Sequence, residues 1–246
     1  MTAIGAQMVI LAKAPVPGRV KTRLTPPFTP HEAAMLAEAA LADTLQAAAG
    51  ALFARHLLAL SGQDAMPGVL HAMLPAHFEV TPQRGDGLDE RIAAALADAY
   101  ARLPVPAVLI GMDTPQVTPG LLAAVARPLA SGEADAVFGP AADGGFWLLG
   151  LREPNPRLVL GVPMSQPHTG RAQLDRLRKA GLRVRQMPEL TDVDTVGDAL
   201  KVATEAPGGR FAAMLAVLRQ PRRRCKGPET PAAAAARCSC AAGGAR

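Results

Sequence analysis

Short apolar runs alternate with helix-length segments along most of the 246 residues, and this alternation limits the fold more than any other feature. Residues 8–12 read as a buried strand. Thr29, Pro30 and Glu32 then mark a helix start: an N-cap, a proline in the first turn and a capping-box acid. The spacing of Met35, Leu36, Ala39, Leu41 and Leu45 carries that helix to about Ala49. Strands are predicted at 52–60, 107–110, 134–138, 146–151 and 182–187. Helices are predicted at 89–103, 119–130 and 169–180, followed by a pair running from Thr195 to about Leu218. Strands separated by helices of this length predict a mostly parallel sheet covered on both faces. With no internal repeat and no linker, residues 1–219 read as one α/β domain. Residues 220–246 shift to an Ala/Gly/Arg-rich composition and are expected to form a disordered basic tail.

The formal charge of +5 comes from that tail. Arg222, Arg223, Arg224, Lys226, Arg237 and Arg246 face only Glu229 there, which leaves 20 basic and 20 acidic residues before it. A neutral body argues against a phosphate-tracking surface, so no nucleic-acid partner is expected. Cys225, Cys238 and Cys240 also lie in the tail, so the body has no disulfide, thiol nucleophile or cysteine zinc site. No run approaches the roughly 20 apolar residues of a membrane helix. No secretory signal is visible either, and a cytoplasmic protein is expected.

In an open α/β sheet, ligands bind beyond the carboxyl ends of the strands. Three chemically loaded segments fall there. The first is LAKAPVPGRVKTRL (11–24), with Lys13, Arg19, Lys21 and Arg23 around Gly18. Lysine offers a mobile point charge and arginine a two-donor fork, both suited to phosphate, while glycine permits a positive φ or close backbone approach. Neither G-x-x-x-x-G-K-[ST] nor G-x-G-x-x-G is present, which excludes a Walker loop and weakens a dinucleotide reading. A solvated charge run explains the same letters. The second segment is GMDTPQ (111–116), whose Asp113 is either a site carboxylate or a turn residue before Thr-Pro. The third is Asp143-Gly144-Gly145, either a ligand loop in which Asp143 orients or deprotonates a hydroxyl, or a plain β-turn. Trp147 reads as a sheet-packing residue ahead of a base-stacking one, and His168 as a helix-start residue ahead of a metal or phosphate ligand.

Five blocks in order carry a family resemblance: AKAPVPGRVKTRL, QRGDGLDER (83–91), GMDTPQVTPGLL (111–122), GPAADGGFWLLGL (139–151) and TDVDTVGDAL (191–200). Over about residues 8–205 the chain resembles bacterial glycosyltransferase-like proteins of the GT-A, nucleotide-diphospho-sugar transferase superfamily. Those proteins include the arsenosugar-biosynthesis and radical-SAM/selenodomain-associated transferases. It is similar, more distantly, to phospholactate and molybdenum-cofactor guanylyltransferases. The resemblance implies a three-layer α/β/α GT-A fold with a mostly parallel mixed sheet. It also implies a nucleotide held by the first loop, with Lys13, Gly18, Arg19, Lys21 and Arg23 as candidates; Gly144 and Gly145, which let the backbone close on a ligand, make Asp143-Gly144-Gly145 the candidate acceptor-side loop. Mg²⁺ or Mn²⁺ would sit on Asp113, with Asp194 as second carboxylate and Asp192 two residues away. With Asp143 read as above, Asp113 and Asp143 are the candidate catalytic carboxylates. Where many glycosyltransferases have D-x-D, this chain has M-D-T, so one carboxylate comes from GMDTP and the other from TDVDT. A helix-start role beside Thr195 is the competing account of Asp192 and Asp194.

The leading expectation is a metal-dependent glycosyltransferase moving a sugar from a nucleotide-diphospho-sugar to a small-molecule acceptor. The alternative is a guanylyltransferase-like nucleotidyltransferase releasing pyrophosphate. The missing LAGG-x-G-x-R loop disfavours its ordinary sugar-nucleotide type. A nucleotide-binding protein without turnover ranks last.

Overall fold

The computed structural model describes residues 4–62 and 74–220. Beyond Gln220, the expected tail lies outside the described residues. Seven strands form one sheet: β1 Ile4–Lys13, β2 Phe53–Ser61, β3 Phe78–Pro82, β4 Ala107–Gly111, β5 Ala136–Pro140, β6 Phe146–Leu151 and β7 Val184–Gln186. Their spatial order is β3-β2-β1-β4-β6-β5-β7. All neighbours are parallel except β6, which runs antiparallel to both β4 and β5. Six α-helices are present among the described residues: α1 Pro30–Gly50, α2 Leu88–Arg102, α3 Pro119–Ser131, α4 Thr169–Lys179, α5 Val196–Glu205 and α6 Arg210–Arg219. This is the mostly parallel sheet covered on both faces that the alternation predicts, and antiparallel β6 makes it mixed, as the resemblance implies. No helix among the described residues is long and apolar enough to cross a membrane.

The alternation of β1 divides the core. Met8 and Ile10 face α1 and α3 with Leu41, Leu45, Leu122 and Val125. Val9 faces the opposite side, where Leu57 and Leu109 pack on Ile92 and Leu96 of α2 and Leu177 of α4. The α1 start is the predicted one: Thr29 N donates to Glu32 Oε2 at 2.8 Å, and Glu32 N donates to Thr29 Oγ1 at 3.2 Å. The sequence reading assigned no element to β3. That strand is a short edge strand with only Phe78 and Thr81 buried, so it lacks the continuous apolar run that reveals a central strand.

α1 is buried on two sides. One side packs on the sheet, and the other joins Leu24, Phe28, Val193, Phe211 and Leu215 in a third cluster with α5 and α6. Alanine at many of its buried positions permits this double packing. Leu24 is fully buried there and ties the basic loop to the C-terminal helices. Leu24→Ala is expected to lower stability by about 2–4 kcal/mol, measured by chemical denaturation.

β1 is flanked by β2 on one side and β4 on the other, so the chain leaves their carboxyl ends in opposite directions. The crevice between Lys13 and Gly111 lies at this switch point.

Candidate active site

The loop after β1 is anchored by Val20, Leu24 and Phe28, all buried, while Lys13, Arg19 and Arg23 remain exposed. Gly18 takes φ 75°, and a Cβ there would meet nothing within 4 Å, so the glycine serves the turn rather than a close approach. Lys21 differs from the other cations. It holds a left-handed backbone (φ 48°, ψ 41°) as the N-cap of the 3₁₀ turn Thr22–Leu24. Its side chain is only 7% exposed, with Nζ 2.8 Å from Asp113 Oδ1 and 3.0 Å from Asp194 Oδ1. Arg23 Nη1 lies 3.4 Å from Asp194 Oδ2 at the rim. Burial works against the Lys21 charge, but Asp113 and then Asp194 outweigh it, so its pKa is raised and the amine stays protonated.

The two acidic motifs are stitched together through the backbone. Val193 N donates to Asp113 O at 2.9 Å, and Gln116 Nε2 donates to Thr191 O at 2.8 Å. Val193 is buried against α5 and α6. The start of α5 is satisfied elsewhere: Thr195 N donates to Asp198 Oδ2 at 2.8 Å, and Asp198 N donates to Thr195 Oγ1 at 3.3 Å. Asp192 and Asp194 are therefore not needed as helix-start acids. Burial, then the charges of Asp113 and Asp143, push the Asp192 carboxyl up to about 7; Lys21 opposes this, and Asp194 adds a smaller push in the same direction. Asp113 Oδ1 is buried with no aligned hydrogen-bond donor, its close contact with Lys21 being an ion pair. Among the described residues no group of three His, Cys, Asp or Glu side chains is arranged to hold a metal ion alone.

Asp143 lies across the crevice. Its Oδ1 accepts from Gly145 N at 2.8 Å, the hydrogen bond of a local turn. A ligand loop and a plain β-turn are the two accounts of these glycines, and at Gly144 the backbone closes on protein: at φ 87°, an added Cβ would overlap the Pro167 carbonyl. A Cβ on Gly170 would overlap the Gly145 carbonyl, and Gly170 N donates to Gly144 O at 2.8 Å. The turn is thus packed onto the start of α4. Asp143 stays exposed.

Two cavities meet here. The larger, about 700 Å³, is lined by Lys13, Arg19, Lys21, Arg23, Asp113 and Asp194, among others. The smaller, about 350 Å³, is mainly apolar, with Leu11, Leu88, Ile92, Leu109, Phe146 and Met164 in its wall. Lys13, Met112, Asp113, Asp143, Ser165 and Gln166 border both. Lys21 and Ser165 (φ 57°) are the two non-glycine residues with positive φ among the described residues, and both line the larger cavity. All four loop cations and the carboxylates Asp113, Asp143 and Asp194 are therefore brought together in one place, with Asp192 in the adjoining wall. His168 stands exposed at the start of α4 and borders neither cavity. Trp147 is buried, donating its Nε1 to Pro188 O at 3.0 Å, though one side of it reaches the smaller cavity.

Sequence reasoning did not single out Gln83 or Thr114. Gln83 Nε2 donates to Ala12 O at 2.7 Å and to Ala59 O at 3.0 Å, locking the side chain against β1 and β2 at the cavity wall. Thr114 is buried in that wall with its hydroxyl unpaired. Their signals were their positions, first in QRGDGLDER and next to Asp113. In the same block, Glu90 accepts from Asp86 N at 2.7 Å and Arg91 Nε donates to Gly85 O at 3.0 Å. The block therefore folds its own loop before α2.

The fold matches a protein of Desulfovibrio desulfuricans G20 that carries the provisional name nucleotide-diphospho-sugar transferase. Identity is 28% and the TM-score 0.79, over 89% of this chain and 98% of that one. It also resembles 4-diphosphocytidyl-2C-methyl-D-erythritol synthase of Anaerococcus prevotii DSM 20548 (8% identity, TM-score 0.54, 82% and 97% covered). A third match is a CMP:2-keto-3-deoxy-manno-octonic acid synthetase complexed with CTP (14% identity, TM-score 0.52, 86% and 99% covered). At such identities the last two speak for the fold alone. A search of curated proteins finds no match. The family model described as "Uncharacterized protein conserved in bacteria (DUF2064)" matches residues 44–166, half of the chain, and the chain belongs to that family.

Proposed function

We propose that this protein is a metal-dependent transferase that moves a sugar from a nucleotide-diphospho-sugar to a small-molecule acceptor. The observation that carries the reading is a cation-lined cavity and a mainly apolar one meeting at two carboxylates, Asp113 and Asp143. The similarity to the D. desulfuricans protein over nearly the whole fold supports it. The finer resemblance, to arsenosugar-biosynthesis and radical-SAM-associated transferases, stays within this reading.

In the proposed reaction, Lys13, Arg19 and Arg23 bind the diphosphate, with Lys21 beside them. Arginine forks fix its orientation and lysine adds charge. Asp113 and Asp194 would hold Mg²⁺ or Mn²⁺, with Asp192 next to them. The residues fit such an ion: the donors are all oxygen, Asp113 Oδ1 and Asp194 Oδ1 already converge on one cation, the Lys21 ammonium, and magnesium needs only one or two carboxylates beside phosphate oxygens and water. When bound, the ion would neutralise charge on the departing diphosphate. The acceptor hydroxyl oxygen forms a bond to the anomeric carbon as the carbon–oxygen bond to the diphosphate breaks, and the nucleoside diphosphate leaves with the electron pair. Asp143 takes the hydroxyl proton; its Oδ1 is tied to Gly145 N, which leaves Oδ2 for that proton.

The second reading is nucleotidyl transfer, in which a phosphorylated substrate attacks the α-phosphorus of a nucleoside triphosphate. The basic loop serves this reaction as well, and the fold is shared with the two cytidylyl enzymes above. A panel of nucleotide sugars and nucleoside triphosphates, each with Mg²⁺ or Mn²⁺, separates the two. Nucleoside diphosphate released from a nucleotide sugar, with triphosphates ignored, is the expected outcome. Pyrophosphate released from a triphosphate plus a phosphorylated acceptor would establish the second reading instead.

A further inference from the structure

Three of the four loop cations are exposed, as a phosphate-binding group should be before its ligand arrives. Lys21 is the exception, buried between the two carboxylates assigned to the metal. Both Oδ1 atoms lie within 3.0 Å of its Nζ. An oxygen-bound divalent ion needs a point about 2.0–2.6 Å from such atoms, so a small inward shift of the carboxylates would let an ion take the place of the ammonium. The two cations cannot share that place. Lys21 also borders the larger cavity, so rotation about its side-chain bonds carries the ammonium from the carboxylates toward a phosphate there. The left-handed backbone, uncommon for lysine, belongs to the conformation in which the side chain turns inward.

We infer that Lys21 is a resident cation that competes with the divalent ion for Asp113 and Asp194, and that a phosphate group in the larger cavity draws it away. This rests on the metal reading given above. Metal affinity without nucleotide is then reduced by the fraction of molecules in which Lys21 occupies the site. Because coupling between ligands is reciprocal, phosphate and metal strengthen each other's binding by the same factor. Lys21 thus makes loading of the two ordered and mutual, a role distinct from simply adding positive charge to the phosphate site.

The test titrates Mn²⁺ against the full chain without nucleotide, following the free-ion signal by electron paramagnetic resonance. Lys21→Met is expected to bind Mn²⁺ at least tenfold more tightly than the native chain. Arg23→Met, which removes a charge near Asp194 but not from between the carboxylates, is expected to change it less than threefold. Asp113→Asn added to Lys21→Met is expected to erase the gain. Equal Mn²⁺ affinity in Lys21→Met and a native chain that does bind would overturn the competition and leave the metal reading standing. An equal gain in Arg23→Met would reduce the effect to general charge and overturn it too. Absence of Mn²⁺ binding in every variant, Lys21→Met included, would overturn the competition; absence of binding with a nucleoside diphosphate present as well would remove the metal reading too. A second measurement needs no variant: acetylation of Lys21 in the native chain, followed by mass spectrometry, is expected to rise severalfold when Mn²⁺ is added. Unchanged labelling while Mn²⁺ binds would overturn the inference.

Discussion

Asp113→Asn is expected to leave the protein folded while lowering turnover by roughly 100-fold or more, the scale on which loss of one charge-stabilising group in an active site acts. The substitution keeps the shape of the side chain, and the contact that fixes its backbone, Val193 N to Asp113 O, does not involve the carboxylate. What it removes is a negative charge beside Lys21 and, on the proposed function, one hard oxygen ligand for the ion. Nucleotide binding should fall less than turnover, because the exposed cations of the loop remain. Turnover depends on charge that develops only in the transition state, and a fixed ion answers that charge best. Asp194→Asn should follow the same pattern more mildly, since Asp194 is also held by Arg23 at the rim. Steady-state rates across a Mn²⁺ series, with denaturation curves alongside, check both variants. Wild-type turnover and metal dependence in Asp113→Asn would mean that the reacting groups lie elsewhere.

The other large effect concerns stability. Gly144→Ala is expected to cost about 3 kcal/mol, from a left-handed backbone carrying a Cβ and from overlap with a carbonyl that has little room to move. Gly18→Ala is the matched comparison: its φ of 75° is also left-handed, but the added methyl meets open space. About 1–2 kcal/mol of backbone cost should be all that it shows. Urea denaturation of both variants measures the difference. If the two are equally mild, the turn after β5 is not held against α4 in the way described, and Asp143 has lost its support.

Local sequence signals account for the parts of the fold that depend on neighbours in the chain. The Thr29–Glu32 capping box is such a case, as is the alternation of Met8, Val9 and Ile10 across the sheet. Asp113 and Asp194 could be named because ordered motif blocks carried them. The distinct character of Lys21 could not. Its letters match those of Lys13, and what separates the two is the Leu24 anchor three residues on and a pair of acids about 90 and 170 residues away. Gln83 was hidden for a similar reason: its amide bridges the ends of two strands that precede it in the chain. What the backbone at Gly144 closes on was equally long-range, since Pro167 and Gly170 decide it.

The third cluster imposes an order on assembly. Leu24 and Phe28 leave the ribosome early, but their packing partners Phe211 and Leu215 are made nearly 200 residues later. Val193, which carries Asp194 to Lys21, also comes late in the chain. During synthesis, which proceeds at about 5–20 residues per second and lets earlier segments begin to fold, β1, β2 and α1 can form well before the loop has anything to pack against. A chain stopped before α6 would therefore hold most of its sheet yet leave the loop that carries Lys21 without its packing partners. The position of Lys21 is thus settled after the sheet, once the residues of α5 and α6 have been made.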